Sequence, residues 1–299
     1  MHRSGLLRLG LAVLYNRTVH VTALTVAVAV SLWNVDRVPH LSVLPALAGL
    51  APFVIGKYLL CPLRWHAISR SGCSRRWHLR AYAESELLGL ISPWHAGADV
   101  WRVHRLKGVG LPGAGAVTEV ALDRFVGALG MLLAVGVSGV ALPRGVLFAA
   151  LAGAAGVAGV AVVALAVGRR RVAVARGWPR PSARVLLTGV LLSLCYQVAI
   201  VCLLLGALAA VGNSVPPLHL VAVFGASQLA GALPGVHGAS PREGALVAGL
   251  ASIGVSLTDA FGAVALAALL TWIPALLLGG GGLLLRWRGW FSEPHAAAG

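Results

Sequence analysis

The stretch Pro93-Trp94-His95-Ala96-Gly97-Ala98-Asp99-Val100-Trp101-Arg102 has a counterpart later in the chain, Pro234-Gly235-Val236-His237-Gly238-Ala239-Ser240-Pro241-Arg242-Glu243. In both, Pro is followed four residues on by Gly-Ala, then by a small polar residue, with an Arg shortly after it. Pro and Gly interrupt helices. An ionisable group beside such a break is how a membrane chain opens its backbone around a polar ligand. Two copies point to a symmetric transport site rather than to one catalytic centre, and no catalytic residue is assigned.

Around these two segments the chain is apolar. Of its 299 residues 58% are hydrophobic and only 11% charged, where a soluble protein carries about 25% charged. Lipid is therefore the expected solvent, and residues 1–299 are read as a single membrane domain. A spanning helix needs about 20 apolar residues, and six stretches qualify: 19–36, 41–63, 116–141, 146–168, 185–211 and 260–285. Residues 4–16 read as an interfacial helix. Arg64, Arg70, Arg75, Arg76 and Arg80 follow the second span, and Arg169, Arg170, Arg171, Arg176, Arg180 and Arg184 the fourth. Arg286 and Arg288 follow the sixth, and the other connections are poor in charge. By the bias of basic loops toward the cytoplasm, both termini are expected there, in a multi-pass protein of the cytoplasmic membrane. The same bias accounts for the net charge of +15, and no nucleic-acid partner is expected. The basic N-terminus leads into this polytopic pattern, so no cleaved leader is expected. The four Cys form no C-x-x-C pair, and neither a metal nor a disulfide nor a cofactor is expected.

Residues 79–92, 218–233 and 243–258 are apolar but have 16 residues or fewer. As helices they reach about 24 Å, short of the roughly 30 Å hydrocarbon core. They are read as arms of two re-entrant hairpins, the first entering from the cytoplasm and the second from outside. The order span, span, hairpin, span then occurs twice in opposite orientation. The expected fold is an all-α polytopic membrane protein, about six spanning helices plus two re-entrant hairpins in an inverted-topology repeat of residues 1–142 and 143–299. Gly110 precedes Ala116 by six, as Gly254 precedes Ala260, and Val120-Ala121-Leu122 then matches Val264-Ala265-Leu266.

Seven of the nine acidic residues lie in or beside the hairpins: Glu84, Glu86, Asp99, Glu119, Asp123, Glu243 and Asp259. A charge at the bilayer centre costs at least about 2.5–3.5 kcal/mol, so these acids need one another, a basic partner or a wet cavity. Asp99 and Arg102, three apart, are expected to pair on a helix. Glu119 and Asp123, four apart on one face with Arg124 beside them, need a cation between them, for which Arg102 is the candidate. Arg242 and Glu243, adjacent in sequence, are expected to point apart. His95 and His237 read as satisfied packing histidines, the alternative being a proton relay. An Arg fork suits a phosphate, and the half-helix ends near Asp99 and Pro241 add N–H donors. The candidate substrate-binding set is therefore Pro93, Gly97, Asp99, Arg102, Glu119, Asp123, Arg124, Pro234, Gly238, Arg242 and Glu243. The alternative is that these charges only staple the hairpins together.

The run Ile91-Ser92-Pro93 … Gly97-Ala98-Asp99-Val100-Trp101-Arg102 … Gly110 … Ala116 … Asp123-Arg124 resembles the transmembrane region of lysylphosphatidylglycerol synthases and their stand-alone relatives. Leu233-Pro234 … Gly238 … Arg242-Glu243-Gly244 … Gly254-Val255-Ser256 … Asp259-Ala260 resembles that family's second signature. The resemblance implies flipping of a lipid across the bilayer: an anionic or aminoacylated phospholipid, or a polyprenyl-linked or other glycolipid. Ala98 stands where the family has a second Gly, and Ala239-Ser240-Pro241 replaces a Gly-rich approach to Arg-Glu. No soluble synthase domain follows within the 299 residues, so aminoacyl transfer is not expected.

Three readings follow. A flippase-like transporter would hold a phosphate-bearing head group in a cavity between the hairpins. An intramembrane lipid-phosphate phosphatase, similar to polyprenyl-diphosphate phosphatases, would use Glu84-Ser85-Glu86 and the Pro234-Gly235 turn, but its Ser-Arg-Ser is missing. A non-catalytic membrane subunit would serve a lipid-modifying enzyme or a second copy of the chain. Walker, His-Glu-x-x-His and Gly-x-Ser-x-Gly motifs are absent, and the chain is not expected to be an enzyme.

Overall fold

A computed structural model describes residues 41–90, 92, 95–138, 181–230, 237 and 240–288, with Thr25, Ala29 and Trp33 as single positions. The expected interfacial helix at 4–16, the spans at 19–36 and 146–168 and the boundary between 142 and 143 lie outside the described residues. So do the candidates Pro93, Pro234 and Gly238. Among the described residues there are eight helices and no strand.

The helices are α1 (Val43–Ile68), α2 (Arg75–Leu90), α3 (Ala96–Gly108), α4 (Gly113–Ser138), α5 (Ala183–Ala210), α6 (Pro217–Ala230), α7 (Pro241–Ser252) and α8 (Leu257–Arg286). Three of them, α1, α5 and α8, are long and apolar enough to cross a membrane. They match the expected spans at 41–63, 185–211 and 260–285. The fourth long helix, α4, has 26 residues and carries Glu119, Asp123 and Arg124. The apolar sequence dictates the outward faces as well as the core. Leu44, Leu47, Leu187, Val198 and Leu277 are exposed on the long helices, which in lipid carries no penalty.

Twice, two short helices lie between long ones. The helices α2 and α3 have 16 and 13 residues, α6 and α7 14 and 12. Within each pair the two helices pack together. In the first pair they run antiparallel, with Gly89 beside Ala98, Ser85 on Arg102 and Glu84 on Arg105. Gly97 donates its N–H to Ser92 Oγ at 2.7 Å, and a Cβ there would meet Leu88 backbone. Its sequence position was a candidate for substrate binding; its visible contact is this close approach.

The packing partners repeat. The helix α1 lies along α5; α2 packs on α8 as α6 packs on α4; α3 packs on α4 as α7 packs on α8. At the crossing of α1 and α5, Gly49 faces Gly206, and a Cβ added to Gly206 would stand 2.8 Å from Gly49 Cα. The short helices α3 and α7 end identically. Gly110 has φ 93° and Gly254 φ 97°. The Leu106 carbonyl accepts from Val109 and Leu111, and the Leu250 carbonyl from Ile253 and Val255. This is a Schellman end, which requires the left-handed region that only Gly enters freely. Ala116 and Ala260, six residues on, are both fully buried.

Two long helices contain a π-helical turn, Gly56–Leu60 in α1 and Ala275–Gly280 in α8. Each adjoins a proline, Pro62 and Pro274, whose missing N–H already interrupts the hydrogen-bond ladder. The first of these turns carries Lys57 into the interior.

Candidate functional site

A cavity of about 510 Å3 opens between the two short-helix pairs, a size typical of ligand sites. Every helix but α3 lends it lining residues, and both breaks reach it: Ser92 and His95 from the first, His237 and Ser240 from the second. Four cations line it, Lys57, Arg64, Arg124 and Arg242, against two carboxylates, Glu86 and Glu243. Tyr58, Tyr82, Tyr196, Phe224 and Leu246 give it an apolar wall.

One side of the cavity rests on a buried charge network. Asp123 of α4, fully buried, accepts from Arg64 Nε at 2.8 Å and from Arg102 at 3.0 Å. Arg64 also donates to Ser193 Oγ of α5 at 3.0 Å. Arg102 reaches back to α2, donating to Glu86 Oε1 at 3.1 Å and to Ser85 Oγ at 3.2 Å. Its guanidinium lies 4.2 Å from the Tyr82 ring centroid. Glu86 Oε2 accepts from Lys57 Nζ at 2.7 Å and from His95 Nε2 at 3.0 Å. Three cations thus meet two carboxylates, the pairing that buried charge requires.

His95 caps α3 with φ 60°, the one non-glycine residue with positive φ among the described residues. Such strain persists where surrounding contacts hold it. Here Glu86 holds the ring, and Gly89 leaves room for it: a Cβ there would stand 2.6 Å from the imidazole.

On the other side, Arg242 and Glu243 begin α7. The carboxylate of Glu243 folds back to accept from the Ser240 N–H at 2.9 Å and from its hydroxyl, as a residue at the third helical position does. Its other oxygen accepts from Arg242 at 2.9 Å. His237 donates through Nε2 to Thr271 Oγ1 of α8 at 2.6 Å.

Of the sequence candidates, Arg124, Arg242 and Glu243 line the cavity. Arg102 does not: its side chain is 1% exposed, and Nε, Nη1 and Nη2 are each committed. Asp99 pairs with Arg124 of α4 at 2.9 Å, not with Arg102. Arg102 does neutralise Asp123, as expected, but Glu119 takes the Trp65 indole and the Arg70 backbone N–H, each at 3.0 Å. Arg242 and Glu243 meet instead of pointing apart, because the fold-back to Ser240 swings the carboxylate over the first turn. Both His95 and His237 are satisfied by hydrogen bonds to polar partners at the cavity. Arg64, read as part of a cytoplasmic linker, belongs to α1 and is buried. Lys57 and Arg64 are missing from the sequence candidates; a single Lys inside an apolar run is the signal that marks the first. Asp123 and Glu119 are fully buried structural partners behind the cavity wall. No group of three or more potential metal ligands occurs among the described residues.

The family model of the lysylphosphatidylglycerol synthase TM region matches residues 7–279, and the chain belongs to that family. With its three apolar spans it is a membrane-embedded protein of a lipid-related family. Neither a curated protein nor a solved structure matches the chain.

Proposed function

We propose that this chain is a flippase-like transporter that carries a lipid with a phosphate-bearing head group across the cytoplasmic membrane. The observation that supports the reading best is the cavity between the two short-helix pairs, where cations outnumber carboxylates and aromatic rings supply apolar wall. An anionic or aminoacylated phospholipid, or a polyprenyl-linked or other glycolipid, presents the matching combination of phosphate and apolar tail. The short helices are re-entrant arms, too short to cross the roughly 30 Å core. The halves form an inverted repeat with both termini in the cytoplasm. The matched Schellman ends and the exchanged packing partners of α2 and α6 support that repeat. The chain is not an enzyme on this reading; a partner lipid-modifying enzyme would supply its substrate.

The test is reconstitution into vesicles with a headgroup-labelled anionic phospholipid, measuring leaflet exchange and phosphate release together. Exchange without release is expected. Arg242→Ala should slow it about tenfold or more, the worth of one charge-assisted contact. Release without exchange would replace this reading by the phosphatase. Neither signal would leave a membrane partner subunit.

A further inference from the structure

We propose that Lys57 and Arg242 are the phosphate contacts of the cavity, and that Glu86 and Glu243 occupy them as internal anions until a lipid phosphate takes their place. The inference deepens the transport reading and rests on it for the lipid nature of the ligand. It starts from availability. Arg64 and Arg102 have side chains 7% and 1% exposed, and each uses Nε and both terminal nitrogens on fixed protein acceptors. Either would have to break three buried hydrogen bonds to turn to a ligand. Lys57 is 16% and Arg242 35% exposed, both line the cavity, and among the described residues each bonds one carboxylate, Arg242 also donating to His237 Nδ1 at 3.3 Å. Arg124, the other lining cation, is 43% exposed but pairs with Asp99, which, unlike Glu86 and Glu243, has no second hydrogen bond among the described residues to fall back on.

The carboxylates are provided for in excess. If Lys57 swings away, Glu86 keeps Arg102 and His95. If Arg242 swings away, Glu243 keeps the N–H and hydroxyl of Ser240. Each can release its cavity cation and remain hydrogen-bonded, so the exchange does not leave a buried charge bare. The two cations also differ in the way a phosphate uses. The guanidinium offers a planar fork to two non-bridging oxygens, and the ammonium is a compact point charge. Lys57 stands on the π-helical turn of α1, with the Tyr82 and Tyr196 rings 5.9 and 5.4 Å from its Nζ. Single π turns of this kind recur at functional sites. The rings border the ammonium with apolar surface, as a head group entering with its tail requires.

The test is binding to the purified full chain in detergent, with dioctanoyl phosphatidic acid as the anionic probe and dioctanoylglycerol as its neutral counterpart. Wild type should prefer the phosphate lipid by about tenfold or more. Lys57→Met and Arg242→Gln should each abolish most of that preference, and Lys57→Arg, which keeps the charge, should retain it. An undiminished preference in Lys57→Met overturns the proposal. Where that variant fails to fold by size-exclusion chromatography, Arg242→Gln decides alone, and an unchanged preference there overturns it equally. Leaflet exchange separates the two claims. Wild-type binding without exchange keeps this site and removes transport. Exchange that survives in Lys57→Met keeps transport and removes this site.

Discussion

Asp123→Ala is expected to destabilise the folded chain by about 3–5 kcal/mol, because it takes a shared carboxylate from two buried cations at once. Arg64 and Arg102 both depend on this carboxylate, whose side chain is 0% exposed. Arg64 would keep Ser193, and Arg102 would keep Glu86 and Ser85. Those partners leave three cations, buried Arg64 and Arg102 and part-buried Lys57, around one carboxylate. The loss should propagate, since Asp123 ties α4 to α1 and α3 together. The comparison is Arg124→Ala, the next residue in sequence. Its pair with Asp99 has side chains 43% and 35% exposed, and exposed pairs contribute about 0–1 kcal/mol. Thermal unfolding in detergent should show a large drop in midpoint for Asp123→Ala and a small one for Arg124→Ala. Equal drops would show that the network does not hold the helices.

Gly206→Ala should also be strongly damaging. One methyl there would enter the α1–α5 crossing, 2.5 Å from the Pro45 carbonyl oxygen and 2.8 Å from Gly49 Cα. Both are backbone atoms, and no side chain can rotate aside. Overpacking costs about 1–3 kcal/mol, and a shift here moves two whole helices. Gly136→Ala supplies the contrast, since nothing lies within 4 Å of a Cβ at that position. In a helix interior that change is neutral or stabilising by about 1 kcal/mol. Gly206→Ala should lower the yield of monodisperse protein and its unfolding midpoint, and Gly136→Ala should lower neither. A Gly206→Ala protein as stable as wild type would mean that the helices do not approach so closely.

The sequence disclosed the parts of this fold that obey local rules. Gly110 and Gly254 were visible as matched positions because a Schellman end needs the left-handed region, a demand of the backbone itself. Arg102 was visible as the partner of Asp123 because an intramembrane acid must find a cation. Pairings that depend on how helices dock were not visible. Asp99 and Arg102 have the spacing of a helical pair, yet Asp99 meets Arg124 across the interface. Arg64 stands at the end of an apolar run, where a loop and a continuing helix look alike; the docking of Asp123 and Ser193 decides between them. Lys57 carries its own signal, an isolated charge within an apolar span. The two Gly-Ala motifs already differ in sequence, with Asp99 before Arg102 and Glu243 after Arg242. The helix ends register the halves differently: Asp99 and Glu243 share the first turn of α3 and α7, while Arg102 lies one turn deeper.

That difference has a mechanical consequence. The first short-helix pair is bolted to the long helices by charge, Glu86 to Lys57 of α1 and Arg102 to Asp123 of α4. Among the described residues the second has its ion pair within one turn, Arg242 against Glu243, and meets α8 through the neutral hydrogen bond of His237 to Thr271. The first pair is therefore tied to the long helices by ion pairs, and the second by packing and a neutral contact. Hydrogen–deuterium exchange should find the α7 amides opening sooner than those of α3.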